Sequence, residues 1–293
     1  MTLLIQLLLN ALVNAAIYTL LAVGFGLVYR SMRFFHIAFG AVYITASYAV
    51  IAGVDLSGLP LYLSIIAGVI IGAMTGVVMD RIVYLPLEKR GATAGILFIA
   101  SLGIYILFVN LIALIFGNEV KILSKGIEPS FSIGSLVITR MQIVQFLVGW
   151  MLVIVFWLLI RKNTFMKGIW AMGETPTLVK VLGLPYGFMR TVVFLLSSIF
   201  AGVASLLVAL DVGIDPNVGM NALLTGAVAV IVGGVDKYWG WIGGAVILAV
   251  LQSIAVWQFS ARWNDLITFG ILIVVLLFRP QGLFSPKKRR EER

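Results

Sequence analysis

The chain has 293 residues, of which 61% are hydrophobic and 11% charged, and it carries a formal net charge of +9. A soluble domain is about 25% charged, whereas here apolar runs of roughly 20 residues, each able to cross about 30 Å of hydrocarbon, recur from end to end; the bilayer is the solvent and a soluble enzyme is excluded. With no cysteine, disulfides, thiolate nucleophiles and Cys-based metal sites are excluded as well, and one histidine offers no set of His ligands.

Every predicted element is a helix. In chain order the apolar segments run Leu3 to Tyr29, Phe34 to Ala52, Leu61 to Met79, Thr93 to Phe116, Met141 to Ile160, Thr191 to Leu210, Asn221 to Val235, Trp241 to Trp257 and Leu266 to Phe278. The reading is an all-α, polytopic integral membrane protein with about nine segments, in a range of about eight to ten, forming a single transmembrane domain over 1–293. The first segment lacks the basic n-region of a signal peptide, its first basic residue being Arg30, and is too long for one. It is therefore expected to be a retained span.

The basic residues lie between the spans and not on one face, which sets orientation and argues against a nucleic-acid partner. If the ends near Arg30, Arg81, Arg161, Lys237 and the tail face the cytoplasm, 17 of the 21 Lys and Arg lie inside. Only Lys121, Lys125, Arg140 and Arg262 lie outside. This asymmetry predicts an outer N-terminus and an inner C-terminus.

Two connections are long enough to have work of their own. The outer one, 117–140, holds Gly, Ser and Pro among short β-like runs and is read as a small extracytoplasmic platform. The inner one, 161–190, reads as a structured element. Thr175 can cap a helix, Pro176 suits its first turn, Leu178, Val179, Val181 and Leu182 give it apolar contact, and Gly183 with Pro185 ends it. The basic cytoplasmic tail, 279–293, is matched to anionic membrane lipid. Two spans look interrupted, from Gly24 to Gly40 and from Leu223 to Gly244. Paired breaks point to a substrate path; glycines that let helices pack closely are the alternative.

The sequence has no P-loop of the GxxxxGKS or GxxxxGKT form, no HExxH and no GxSxG. Asp80, Glu88, Asp211, Asp215 and Asp265 all fall at or near segment ends, whereas ion-coupled carriers place carboxylates within the spans. An ATP-driven partner docking on 161–190 fits that absence better than ion coupling does.

Four stretches carry a family resemblance: Val28 to Tyr48, Gly168 to Arg190, Asp215 to Val246 and Leu276 to Pro286. On these the chain resembles the LivH-type permease subunits of branched-chain amino-acid ABC importers over nearly its whole length. The resemblance implies a transmembrane permease domain in the bacterial cytoplasmic (inner) membrane. It also implies two cytoplasmic ATPases carrying ATP and Mg, a related second permease subunit and an extracytoplasmic substrate-binding protein, with no cofactor in this chain. It further implies an ATPase-coupling helix from Glu174 to Gly183, with Glu174, Thr175, Pro176, Leu178, Val179, Leu182 and Gly183 as its contact residues.

The chain departs from the family where NFAHGE is usual and His36 to Ala41 stand instead. It departs again at Trp170, where Arg is usual, and at Val179, where a small Ala is usual. Candidate path residues are Asn10, Asn14, His36, Phe39, Gly40, Gly233 and Gly234. His36 can be read as a substrate contact, a pH sensor or an interfacial residue. Asn10 and Asn14, like Gln252 and Ser253, can line a path or join helices by hydrogen bonds. Asp211 and Asp215 can dock the binding protein or simply end a helix. The alternative function is a stand-alone secondary carrier or channel for a small amphipathic solute such as an amide or urea.

Overall fold

A computed structural model describes residues 2–123, 130–133, 136–174, 184–258, 260 and 263–285. The helices are α1 (Thr2–Met32), α2 (Phe39–Asp55), α3 (Leu61–Met79), α4 (Leu85–Lys89), α5 (Ala94–Phe116), α6 (Arg140–Lys162), α7 (Thr164–Met172), α8 (Tyr186–Asp211), α9 (Val218–Gly233), α10 (Tyr238–Gln258) and α11 (Asn264–Phe278). A single π turn, Asp80–Tyr84, joins α3 to α4. Each of the nine apolar segments read from the sequence falls on one of these helices. Among the described residues, six helical stretches are long and apolar enough to cross a bilayer: α1, α3 with its extension to Lys89, α5, α6, α8 and α10. The protein is a polytopic helical membrane protein, and among the described residues the only strands are one antiparallel pair.

The other three apolar helices, α2, α9 and α11, have 17, 16 and 15 residues. At about 1.5 Å per residue, none spans the roughly 30 Å of hydrocarbon alone. The reason is visible at α2, which starts only after a turn sunk into the bundle. Phe34, His36, Ile37 and Ala38 in that turn are all buried. Buried irregular backbone must find partners inside the protein. Here the Ile37 amide donates to Ser101 Oγ at 2.7 Å, and the Phe39 and Gly40 amides return to His36 and Ile37 carbonyls. The break is narrower than the glycine-rich stretch suggested, because α1 runs unbroken through Gly24 and Gly26 to Met32. Likewise α9 continues to Gly233, and only residues 234–237 leave the helix before α10.

Helix α1 is the hub, packing against α6, α8, α9 and α10. Small side chains let these backbones approach, as is usual where lipid gives helices no hydrophobic reason to associate. Gly26 lies under the Trp241 ring, Gly226 against the Leu21 carbonyl and Gly149 against Ala16. At the start of the two short helices, Gly40 and Gly219 face each other so closely that a Cβ on either would meet the other's carbonyl. The N-termini of α2 and α9 therefore meet at one crossing.

The π turn has a chemical cause. Pro86 has no amide hydrogen to return to Ile82, and its ring crowds that carbonyl. The helix widens just upstream, where the Leu85 amide reaches the Asp80 carbonyl five residues back. At the opposite end of the bundle, β1 (Ser130–Ile133) and β2 (Leu136–Thr139) form an antiparallel hairpin. Thr139 caps α6 in a reciprocal box with Gln142. Gln6 on α1 pairs with both the amide and the carbonyl of Val137, and Lys121 bridges to Ile214.

Candidate functional site

The site residues expected from sequence do not form one cluster. Asn10 is half-buried and accepts from Gln6 at 3.2 Å, while Asn14 is exposed on the same helix. His36, Phe39 and Gly40 lie at the buried start of α2. Gly233 and Gly234 lie at the turn into α10, where Gly233 meets Gly240 and Gly234 meets Gly282. Glu174 is described, but Thr175, Pro176, Leu178, Val179, Leu182 and Gly183 lie outside the described residues.

His36 is 1% exposed. Its Nδ1 is 3.1 Å from the Tyr84 hydroxyl, and the rings of Phe34, Tyr84 and Phe194 surround it at 5.4 to 5.9 Å between centroids. Tyr84 ends the π turn, so the histidine pins the sunken turn before α2 onto the widened end of α3. That is the geometry of a packed, hydrogen-bonded core histidine. Phe39 beside it packs on Gly24.

Around this same end of the bundle lie two arginine clusters that bracket the undescribed stretch from Thr175 to Gly183. Arg30, near the end of α1, sends Nη2 to Glu174 Oε1 at 2.5 Å and Nη1 to Asp236 Oδ1 at 2.8 Å. Its guanidinium carbon sits 4.4 Å over the Trp170 ring, a favourable cation–π distance. The backbone of Gly173 presses on Arg30 and Ser31 with no room for a side chain. Arg33, whose own φ is +58°, donates from Nε to the Gly173 carbonyl at 2.7 Å. A cavity of about 270 Å³ opens alongside, lined by Tyr29, Arg33, Asp236, Gln281 and Ser285 among others.

The second cluster is centred on Arg190, near the start of α8. Its Nε and Nη2 both lie on Asp80 Oδ1, at 2.7 and 2.6 Å, and its Nη1 pairs with Glu88. Arg190 and Asp80 are each 1% exposed. Asp80 opens the π turn and Tyr84 closes it, so the turn aims a carboxylate at Arg190 and a hydroxyl at His36.

Sequence reasoning missed this network because it assigned Arg30 and Arg190 to the topology tally and Asp80 to a span end. A usable signal was present: charged residues continuous with apolar helical segments are costly unless paired, and Arg30, Asp80, Glu88 and Arg190 all sit at the ends of such segments.

A third feature of this end is a strap. After α11, the Leu283 and Phe284 amides donate to the Val232 and Gly233 carbonyls at 2.8 and 3.1 Å, and Gly282 (φ +88°) closes on Gly234. This explains why the stretches Asp215 to Val246 and Leu276 to Pro286 carry their glycines together: the second lies across the turn of the first.

Comparisons with known proteins identify the family. The family model described as the permease component of branched-chain amino acid transport systems matches residues 7–276. The chain belongs to this family. It is 28% identical to the high-affinity branched-chain amino acid transport system permease protein BraD of Pseudomonas aeruginosa, over 96% of this chain and 95% of that protein. It is 26% identical to the LivH permease protein of Salmonella typhimurium with the same coverage of each. In fold it is similar to PsaBC from Streptococcus pneumoniae, with a TM-score of 0.54 at 13% identity over 97% of this chain and 93% of that one. The branched-chain permease family thus accounts for the helical, multi-pass architecture. Trp170, where the resemblance leads one to expect Arg, lies with its ring over the Arg30 guanidinium.

Proposed function

We propose that this chain is the membrane-spanning subunit of an ATP-binding-cassette importer and forms the translocation path for branched-chain or similar hydrophobic amino acids. Membership of the permease family over residues 7–276 is the observation that carries the reading. In this proposal the chain works in the bacterial inner membrane with its N-terminus outside and its C-terminus inside, an orientation supported by the basic residues being concentrated at one set of helix ends. It pairs with a related permease subunit, receives solute from an extracytoplasmic binding protein, and draws energy from two ATPase subunits that hold ATP and Mg. The chain has no nucleotide-binding motif and is not itself the ATPase.

The coupling contact proposed is the stretch from Glu174 to Gly183. Its support is the capped, apolar pattern of the sequence and the anchoring of its flanks at Glu174 and Arg190. The burial of His36, Phe39, Gly40, Gly233 and Gly234 supports a packing role for these five. That leaves Asn10 and Asn14, on the less buried side of α1, as the proposed path-lining pair.

Co-purification in detergent with the ATPases encoded beside this chain tests the reading, comparing wild type with Leu178→Pro. An ATPase retained by wild type and lost from a variant that still inserts is the expected result. No retained ATPase, together with solute movement by the purified chain alone, would replace the importer by a stand-alone carrier.

A further inference from the structure

At the end of the bundle that holds Arg30, the last turn of α6, helix α7 and the start of α10 frame a cavity of about 440 Å³. Ile160, Trp170, Tyr238 and Trp239 form its walls, and Lys167 and Lys237, both exposed, stand beside them. The aromatic wall is continuous: Trp157 meets Trp239 at 5.7 Å between ring centroids, Trp239 meets Tyr238 at 5.1 Å, and Tyr238 meets Trp170 at 5.9 Å. Arg161 adds a third cation, its guanidinium carbon 5.5 Å from the centre of the Trp157 ring. One carboxylate, Asp236, also lines the cavity, but its Oδ1 is taken by Arg30 at 2.8 Å. Among the described residues neither lysine is paired with an acid. The cavity therefore carries unmatched positive charge on an aromatic wall.

Its depth decides what fills it. Helices α6 and α10 are both long apolar spans, and the cavity lies where the first ends and the second begins. That is the membrane–water boundary, where Trp and Tyr collect and where Lys and Arg extend their charged ends to the level of the lipid phosphates. Further into the bilayer, Leu147 and Ile154 share one face of α6 with Trp157 and are 60% and 53% exposed, an apolar track of the kind an acyl chain covers. Basic pockets between spans at this level suit anionic head groups. We infer that this cavity binds one anionic phospholipid, its phosphate between Lys167 and Lys237 and its chain along the face of Trp157, Ile154 and Leu147. A zwitterionic lipid brings an ammonium that the lysines repel, and a free phosphate has no chain to lay on the track. The head group links α7 to the turn before α10, beside Asp236 of the Arg30 cluster. This site is separate from the basic tail, and it requires only that α6 and α10 cross the bilayer, whatever the solute or the ATPase.

Native mass spectrometry tests the site on the chain purified in mild detergent with the subunits that accompany it. Phosphatidylglycerol and phosphatidylcholine of the same chain length are titrated separately. Lys287, Lys288, Arg289 and Arg290 are replaced by Gln in every sample, so that the tail does not contribute. One phosphatidylglycerol should be retained with a preference on the order of 20-fold over phosphatidylcholine. The preference should fall about fivefold in Lys167→Gln or in Lys237→Gln and approach parity in the double variant, at the usual worth of a basic residue beside an anionic surface. Tryptophan fluorescence gives a second reading: phosphatidylglycerol with brominated chains should quench wild type more than brominated phosphatidylcholine does, and the double variant should lose the excess. Equal retention of the two lipids by wild type, or a preference unchanged in the double variant, overturns the site. Displacement of phosphatidylglycerol by inorganic phosphate would show that the lysines read phosphate alone and would also overturn it. A double variant that keeps its lipid preference but no longer retains an ATPase gives this face to a protein partner instead.

Discussion

Arg30 and Arg190 are each 1% exposed, yet their surroundings differ in a way that burial alone hides. Arg190 meets one carboxylate as dry as itself, Asp80 at the start of the π turn, and a second, Glu88, whose side chain is 44% exposed. Arg30 meets two carboxylates that keep much of their hydration and adds an aromatic face. A dry pair gains strong Coulomb attraction but is only as good as its geometry, because desolvation of both ions opposes it. A half-solvated fork gains less and loses less on opening. One cluster is therefore suited to define a fixed angle between α3 and α8, and the other to give way.

The largest effect that separates the two is expected from Asp80→Asn. Removing the charge strands Arg190, and loss of one partner of a buried pair costs about 3–5 kcal/mol. Thermal unfolding of the purified protein in detergent measures this. The double variant Asp80→Leu with Arg190→Leu should recover most of the loss, since apolar pairs of similar volume replace buried ion pairs at little cost. A double variant as unstable as Asp80→Asn would mean that the pair does more than hold two helices together.

A smaller effect is expected at the other end of the same π turn. Tyr84→Phe removes the hydroxyl 3.1 Å from His36 Nδ1 and leaves a buried ring nitrogen without that partner. The cost is about 1–3 kcal/mol, read by the same unfolding measurement. If Tyr84→Phe unfolds like wild type, the turn before α2 is held by packing and by Ser101, and the histidine is incidental to it.

How much of this was legible beforehand depends on what kind of information each element needed. The spans were readable because an apolar run about 20 residues long has one physical home, and all nine segments fall on helices. The hairpin in 130–139 was hinted at by short β-like runs. The position of the breaks was not readable: glycine marks both a break and a close approach, and Gly24, Gly26 and Gly226 turned out to serve packing inside continuous helices. The arginine clusters were hidden for a different reason. Counting Lys and Arg by loop treats each charge as a label for one side of the membrane, and it discards the information that Arg30 faces Glu174, 144 positions away, or that Arg190 faces Asp80, 110 positions away. Pairing across such distances is a property of the folded bundle. His36 shows the limit from the other side, since a lone histidine near a boundary has the same sequence signature whether it faces a path or, as here, a tyrosine in the core.

The smallest effect sharpens the comparison most, because salt acts on one cluster and not on the other. Glu174→Gln removes a charge whose side chain is 63% exposed, and the expected loss is below about 1 kcal/mol. At an ionic strength near 0.01 M the screening length is about 30 Å, and at 1 M it is about 3 Å. The gap in unfolding temperature between wild type and Glu174→Gln should therefore narrow toward zero as salt rises, while the gap between wild type and Asp80→Asn stays, because ions do not reach a pair that is 1% exposed on both sides. A Glu174→Gln gap that survives 1 M salt would place Glu174 in the same dry regime as Asp80. Arg30 would then hold its partners as tightly as Arg190 holds Asp80.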